Sequence, residues 1–205
     1  MNSQKRNNKI EIIEKFKGSR LCVVAGSTWK EDEKLFINYI NSLESNNICF
    51  IIVPHQIHLK SIEYIKNSIK TKVTIMSQHQ DIINDKSKVM IVDSIGLLTK
   101  IYSYADIAYV GGGMGKTGLH NTLEPAVFKI PVIIGNNFDK FNEVKKLVEL
   151  GGIISICNQQ EFDEKINEFI NSKVKRANIG EINFRFIKNN LGASKKIVQL
   201  LNKFR

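Results

Sequence analysis

Three features of the sequence predict an α/β domain built as a Rossmann-like doubly wound parallel sheet. Short apolar runs of strand length alternate with longer amphipathic stretches from residue 21 onward. The strand runs, such as "NICFIIVP" and "PVIIG", are apolar at consecutive positions, as strands buried on both faces require. Glycine and turn signals fall where the strands end, most densely in "GGGMGKTGLHN". This alternation puts a parallel sheet between two layers of helices, each crossover bringing the chain back to begin another parallel strand.

The elements follow in order. "LCVVAG" (21–26) reads as a strand, "KEDEKLFINYINSLES" as an amphipathic helix with acids in its first turn, and "NICFIIVP" as a second strand. "HLKSIEYIKNSIK" is helical, and "KVTIMS" and "KVMIVD" are strands. "IGLLTKIYSYA" is helical, "DIAYVGG" a strand, "HNTLEPAVFK" a short helix and "PVIIG" a strand. "DKFNEVKKLVELGG" is a helix closed by a Gly pair, "IISIC" a last strand, and two or three helices complete the chain from about Gln159. No internal repeat or Pro-rich linker divides this order.

The composition suits one soluble domain: 205 residues, 42% hydrophobic and 24% charged, with no apolar run near the roughly 20 residues that span a bilayer. Residues 1–19 lack the apolar segment and cleavage site of a signal peptide, so a linker or N-terminal extension is expected there, the domain over 20–205, and a cytoplasmic setting. Cys22, Cys49 and Cys157 match no disulfide or metal-ligand spacing and are expected to be reduced thiols; no metal and no cofactor are expected. The net charge of +10 favours anionic partners, an anionic membrane surface among them. Nucleic acid is not expected, because no basic helix or aromatic platform accompanies the charge.

In a doubly wound sheet, ligands bind beyond the carboxyl ends of the strands. That rule puts "GSTW", "PHQIH", "DSIG", "GGGMGKTGLHN" and "GNNFDKF" on one rim. The "GGGMGKTG" loop holds five glycines in eight residues, which lets backbone N–H groups approach an anion, most often a phosphate. It matches no P-loop, and a GxG within so glycine-rich a stretch is weak grounds for a dinucleotide. His120 and Glu124 are four apart, so a helix over this stretch stacks them on one face with Asn121 beside them. An imidazole and an amide there suit a phosphate, and a carboxylate suits a ribose diol.

With those residues in view, the run from "DSIGLLTKIYSYADIAYVGGGMGKTGLHNTLEPA" to "NNFDKFNEVKKLVELGG" resembles the C-terminal half of 3-deoxy-D-manno-octulosonic acid (Kdo) transferases. The similarity extends back through "AGSTWKEDE" and "FIIVPHQI" and forward to "NNLGASKKI"; the "GSTW-x-x-DE" and "PH-x-I" forms look like a Bacteroidetes-type version. The resemblance implies one domain of a two-domain GT-B glycosyltransferase. Its donor is CMP-Kdo and its acceptor a lipid A precursor bound by an N-terminal domain. That domain also supplies the general base, so no catalytic residue is expected in this chain, which alone is expected to be incomplete. A peripheral position at the inner membrane is implied for the full enzyme.

The resemblance also assigns roles. His120 and Asn121 fall near the donor phosphate, Glu124 at the cytidine ribose, and Gly111, Gly112 and Gly113 at the close backbone approach. Gly26, Ser27 and Thr28 offer N–H and hydroxyl groups, Ile95 and Gly96 meet cytosine through backbone, and Asn137 completes the rim. Much of the family carries an Arg after the Pro of "VP"; here His55 follows Pro54 directly, and His55 or Lys116 is the candidate substitute cation. Trp29 is expected to pack at the loop base, and His58 and His79 to be surface or helix residues. Two other readings fit the same motifs: a stand-alone nucleotide-binding module without transfer activity, and another nucleotide-sugar transferase or epimerase of this fold.

Overall fold

The computed structural model describes residues 8–78 and 87–191. Residues 1–7 of the expected linker, His79, and the end of the chain after Leu191, with most of "NNLGASKKI", lie outside the described residues. Seven strands form one sheet: β1 (Leu21–Thr28), β2 (Ile48–Pro54), β3 (Val73–Ile75), β4 (Val89–Ile91), β5 (Ile107–Val110), β6 (Val132–Gly135) and β7 (Ile153–Ile156). Their order is β3-β4-β2-β1-β5-β6-β7, and every pairing is parallel. The chain therefore starts at the centre, builds one wing through β2, β3 and β4, and returns to build the other from β5. The order reverses beside β1, so the crevice beyond the carboxyl ends of β1 and β5 is the topological switch point.

Both sheet faces are buried, as the unbroken apolar strands require. Alternate residues of β1 separate into two cores. Val23 and Ala25 join α2 (Lys30–Ser42), α3 (Leu59–Ser68) and α7 (Gln159–Asn171), through Phe36, Ile65 and Phe162 among others. Cys22 and Val24 join α1 (Glu11–Lys17), α4 (Leu98–Ile101) and α6 (Asn142–Glu149), through Phe16, Ile101 and Leu147. Two further helices among the described residues are α5 (Leu123–Ala126) and α8 (Lys173–Asn190). Within the segment read as a linker, α1 buries Ile13 and Phe16 against the sheet.

Two expected elements are shorter than their sequence pattern. "KVTIMS" is extended only over Val73–Ile75 and then winds into a 3₁₀ turn, Met76–Gln78. There the Ser77 N–H donates to an Asp93 carboxylate oxygen at 3.0 Å, a side-chain acceptor in place of a strand partner. "IGLLTKIYSYA" is helical only from Leu98, because Gly96 takes φ +84°, outside the helical region.

Candidate functional site

The crevice is assembled from strand ends. At the end of β1 the register shifts between Gly26 and Thr28, and Ser27 sits at φ +53°, a conformation rare for a side-chain-bearing residue. This bulge turns the strand end out of the ladder and into the loop. Gly111 N–H donates to the Gly26 carbonyl at 2.9 Å, and His55 N–H to the Thr28 carbonyl at 2.9 Å. The β1 end is thus tied to the glycine loop on one side and to the β2–α3 loop on the other. Gly112 has φ +93°, and a Cβ there would collide with the Gly118 carbonyl oxygen, so this position requires glycine.

A buried carboxylate fixes the loop. Asp32, in the first turn of α2, is fully buried. Its Oδ2 accepts from Gly112 N–H and from Trp29 N–H, both at 2.9 Å, and its Oδ1 accepts from the Tyr109 hydroxyl at 2.6 Å. Burial raises its pKa, while the Tyr109, Gly112 and Trp29 hydrogen bonds lower it. Asn137 holds the far side: its N–H donates to the Gly113 carbonyl at 2.9 Å and its Nδ2 to the Gly115 carbonyl at 3.0 Å.

Three rings meet above this frame. Trp29 stacks on His55 with centroids 4.6 Å apart, and His55 lies 4.4 Å from His120. The indole Nε1–H donates to His120 Nε2 at 3.1 Å, so that nitrogen is bare and the ring neutral. Desolvation holds the His120 pKa below its usual value; His55 adds to this and Asp32 opposes it.

The continuation "HNTLEPA" departs from expectation. Helix α5 begins only at Leu123, so His120 and Asn121 precede it, and His120 and Glu124 do not share a helical face. The cause is local. Asn121 Oδ1 accepts the Leu123 N–H at 3.1 Å, a side-chain turn that competes with helix. Glu124 is nevertheless positioned: its Oε2 accepts from Thr99 Oγ1 at 2.9 Å and its Oε1 from Asn121 Nδ2 at 3.2 Å.

The structure thus brings together Gly26, Ser27, Thr28, His55, Gly111, Gly112, Gly113, His120 and Asn137, and joins Asn121 to Glu124. Ile95 and Gly96 lie in the loop between β4 and α4, with Ile95 90% exposed. Lys116 is on the exposed outer part of the glycine loop, and among the described contacts none joins these three to Trp29, His55 or His120. Trp29, expected at the loop base, also stacks on both imidazoles and donates its indole N–H to His120. Asp32, Glu33 and Thr99 were not singled out by the sequence, although Asp32 and Glu33 are visible in "GSTW-x-x-DE".

A seven-stranded parallel sheet covered by helices on both faces, with a glycine loop at its switch point, is the architecture of a GT-B glycosyltransferase domain. No protein-family model matches the chain. Among curated proteins, it is 28% identical over 195 residues to a 3-deoxy-D-manno-octulosonic acid transferase of Haemophilus influenzae, covering 92% of this chain and 45% of that protein. A bifunctional glycosyltransferase/methyltransferase of Fusobacterium nucleatum is 32% identical over 170 residues, covering 74% of this chain and 26% of that protein. Among solved structures, the C-terminal CMP-Kdo binding domain of WaaA from Acinetobacter baumannii matches with a TM-score of 0.74 at 20% identity, covering 85% of this chain and 92% of that one. Kdo transferases are therefore homologues of this chain over most of its length. The chain spans about half the length of the Kdo transferases it matches.

Proposed function

We propose that this chain, over residues 20–205, is the donor-binding domain of a Kdo transferase, taking CMP-Kdo at the crevice between β1 and β5. The observation that carries the reading is the junction itself. The glycine loop, the β1 bulge and the His55–His120–Trp29 cluster meet at the switch point of a sheet whose sequence relatives are Kdo transferases. In this reading Gly111, Gly112 and Gly113 let the loop backbone come close to the phosphate beside Ser27 and Thr28, while the Gly111 and Gly112 N–H groups stay on the Gly26 carbonyl and Asp32 and hold the loop in shape. The neutral His120 imidazole acquires a proton as the anion arrives. Glu124, already aimed by Thr99 and Asn121, accepts from the ribose diol. Ile95 and Gly96 meet the base through backbone, while Asn137 keeps the loop in place and Lys116 supplies outer charge.

The reaction is inverting transfer to a hydroxyl of a lipid A precursor. This domain stabilises charge on the departing CMP with preorganised N–H donors and cations. The acceptor, the general base and contact with an anionic inner-membrane surface are assigned to the full-length enzyme. Among the described residues, no helix is long and apolar enough to cross a membrane.

The test is a calorimetric titration with CMP, with UMP as control. CMP should bind in preference to UMP, and His120→Ala and Glu124→Ala should each weaken it by about tenfold or more, as loss of one charge-assisted contact implies. Equal binding of UMP, or unchanged affinity in both variants, would sink the assignment.

A further inference from the structure

Next to this crevice lies a cavity that the nucleotide reading leaves unused. It opens beyond the carboxyl ends of β1 and β2, with a volume of about 320 Å³, and is lined by Thr28, Trp29, Glu33, Gln56, Lys60 and Tyr64 among others. Glu33 is 4% exposed, yet among the described residues its carboxyl accepts a single hydrogen bond, at Oε1 from Thr28 Oγ1 at 3.2 Å. No ion pair to Glu33 is present among the described residues. A carboxyl that lines the cavity with acceptor capacity left over is suited to a hydroxyl-bearing partner that enters it.

The surrounding chemistry defines that partner. Trp29 and Tyr64 supply aromatic surface suited to the C–H face of a sugar ring. Lys60 on α3 and Lys30 on α2 supply cations, with the Lys30 Nζ 5.6 Å from the Tyr64 centroid. The amino end of α2 adds partial positive charge at Trp29. Gln56, Ser61 and the Glu33 carboxyl suit hydroxyl groups. Hydroxyls, an apolar ring face and a carboxylate together describe a sugar acid.

We propose that this cavity holds the sugar-acid part of the donor, with Trp29 as the wall it shares with the nucleotide crevice. The proposal rests on the donor-binding reading above, and it gives Glu33, Lys30 and Lys60 a task no nucleotide contact supplies. The same indole lines the cavity, stacks on His55 and bonds His120, so the two parts of one donor would meet across it.

Protonation of Glu33 sets the pH dependence. Burial pushes its carboxyl up to about 7, helped by Asp32 and Glu31 and opposed by the Thr28 hydrogen bond and Lys30. The other groups facing the cavity are Lys60 and Tyr64 of α3, and Gln56 beside His55 in the β2–α3 loop. Below that pH the neutral carboxyl can donate to a ligand hydroxyl; above it, the ionised group repels a ligand carboxylate.

The experiment is a two-dimensional NMR titration of the ¹⁵N-labelled chain. CMP is added to saturation, then free 3-deoxy-D-manno-octulosonic acid, at about pH 6 and about pH 8, spanning the Glu33 titration. An uncharged ketose serves as control. The sugar acid, and not the ketose, should move the Trp29 indole signal and the amides of residues 60–64, more strongly at the lower pH. Lys60→Glu, at an exposed position, should weaken this binding by about tenfold while leaving CMP affinity intact. Glu33→Gln should abolish the pH dependence. If CMP binds but the sugar acid moves none of these signals, or binds Lys60→Glu equally well, the cavity proposal is overturned and the nucleotide reading stands. If CMP fails to bind while the sugar acid still moves them, the nucleotide reading falls and the cavity is a sugar-acid site in its own right. Failure of both ligands overturns both.

Discussion

His120 carries a stated contradiction: to attract a phosphate it must be charged, and in the free protein it is held neutral. Its Nε2 accepts the Trp29 indole proton, and burial, then the nearby His55, lowers its pKa. Linkage fixes the sign. A histidine whose folded pKa lies below its unfolded value makes the free protein less stable as pH falls through about 6.5 and below. A bound phosphate reverses the preference by pairing with the imidazolium. Two opposite trends are therefore expected between about pH 7.5 and about pH 5.5, a window around the ordinary histidine pKa. Urea midpoints of the free chain should fall, while affinity for a phosphodiester of CMP, whose single charge does not titrate, should rise about tenfold. His120→Ala should flatten both curves; an affinity that stays level with pH in the parent protein would mean that His120 does not meet the phosphate. Gly112 gives a second residue-scale expectation. Gly112→Ala must place a side chain at φ +93° and against the Gly118 carbonyl, so a loss of about 1–3 kcal/mol in urea unfolding is expected. A neutral result would show that the loop relaxes freely.

Helix α2 is the element on which the site turns, because its first turn supplies Asp32 to the glycine loop and Glu33 to the cavity. Asp32→Asn keeps the shape but replaces an acceptor oxygen with an N–H₂ facing a donor. It should cost about 1–3 kcal/mol, seen as a lower urea midpoint, and an unchanged midpoint would remove Asp32 as the support of the loop. Glu33 behaves differently. Its folded pKa, about 7, exceeds the ordinary carboxyl value of 4.5, so the folded state binds the extra proton and stability declines as pH rises between those values. Glu33→Gln should therefore raise stability above pH 7 by about 1–3 kcal/mol and do little near pH 4, where both states are protonated. The sequence made α2 legible through its apolar spacing and its strand neighbours, and "GGGMGKTG" marked the loop. It did not disclose which acid of "KEDE" turns inward. That choice depends on Tyr109 and Gly112, each far along the chain from Asp32 and brought to it by the β1–β5 pairing. The early end of the "HNTLEPA" helix was equally hidden, because Asn121 can continue a helix or close a turn, and its own side chain decides.

At the scale of the molecule, the sheet is two wings joined along β1 and β5, with the crevice at the seam. A nucleotide bound there as proposed would contact loops from both wings and have no site on the unfolded chain, so its binding energy would add to the stability of the whole. At one hundred times its Kd a ligand adds about 2.7 kcal/mol. For a domain of 205 residues each kcal/mol raises Tm by roughly 2–4 °C, so CMP should raise it by roughly 5–10 °C. The competing explanation is bulk charge: with a net charge of +10, any anion that binds loosely to the surface stabilises the chain. Inorganic phosphate at matched ionic strength separates the two. A site-bound nucleotide keeps its shift as salt rises, gives a larger shift than phosphate, and loses it in Glu124→Ala, whose partners Thr99 and Asn121 are polar and tolerate the change. Equal shifts from CMP and phosphate, both erased by salt, would reduce the crevice to a patch of surface charge.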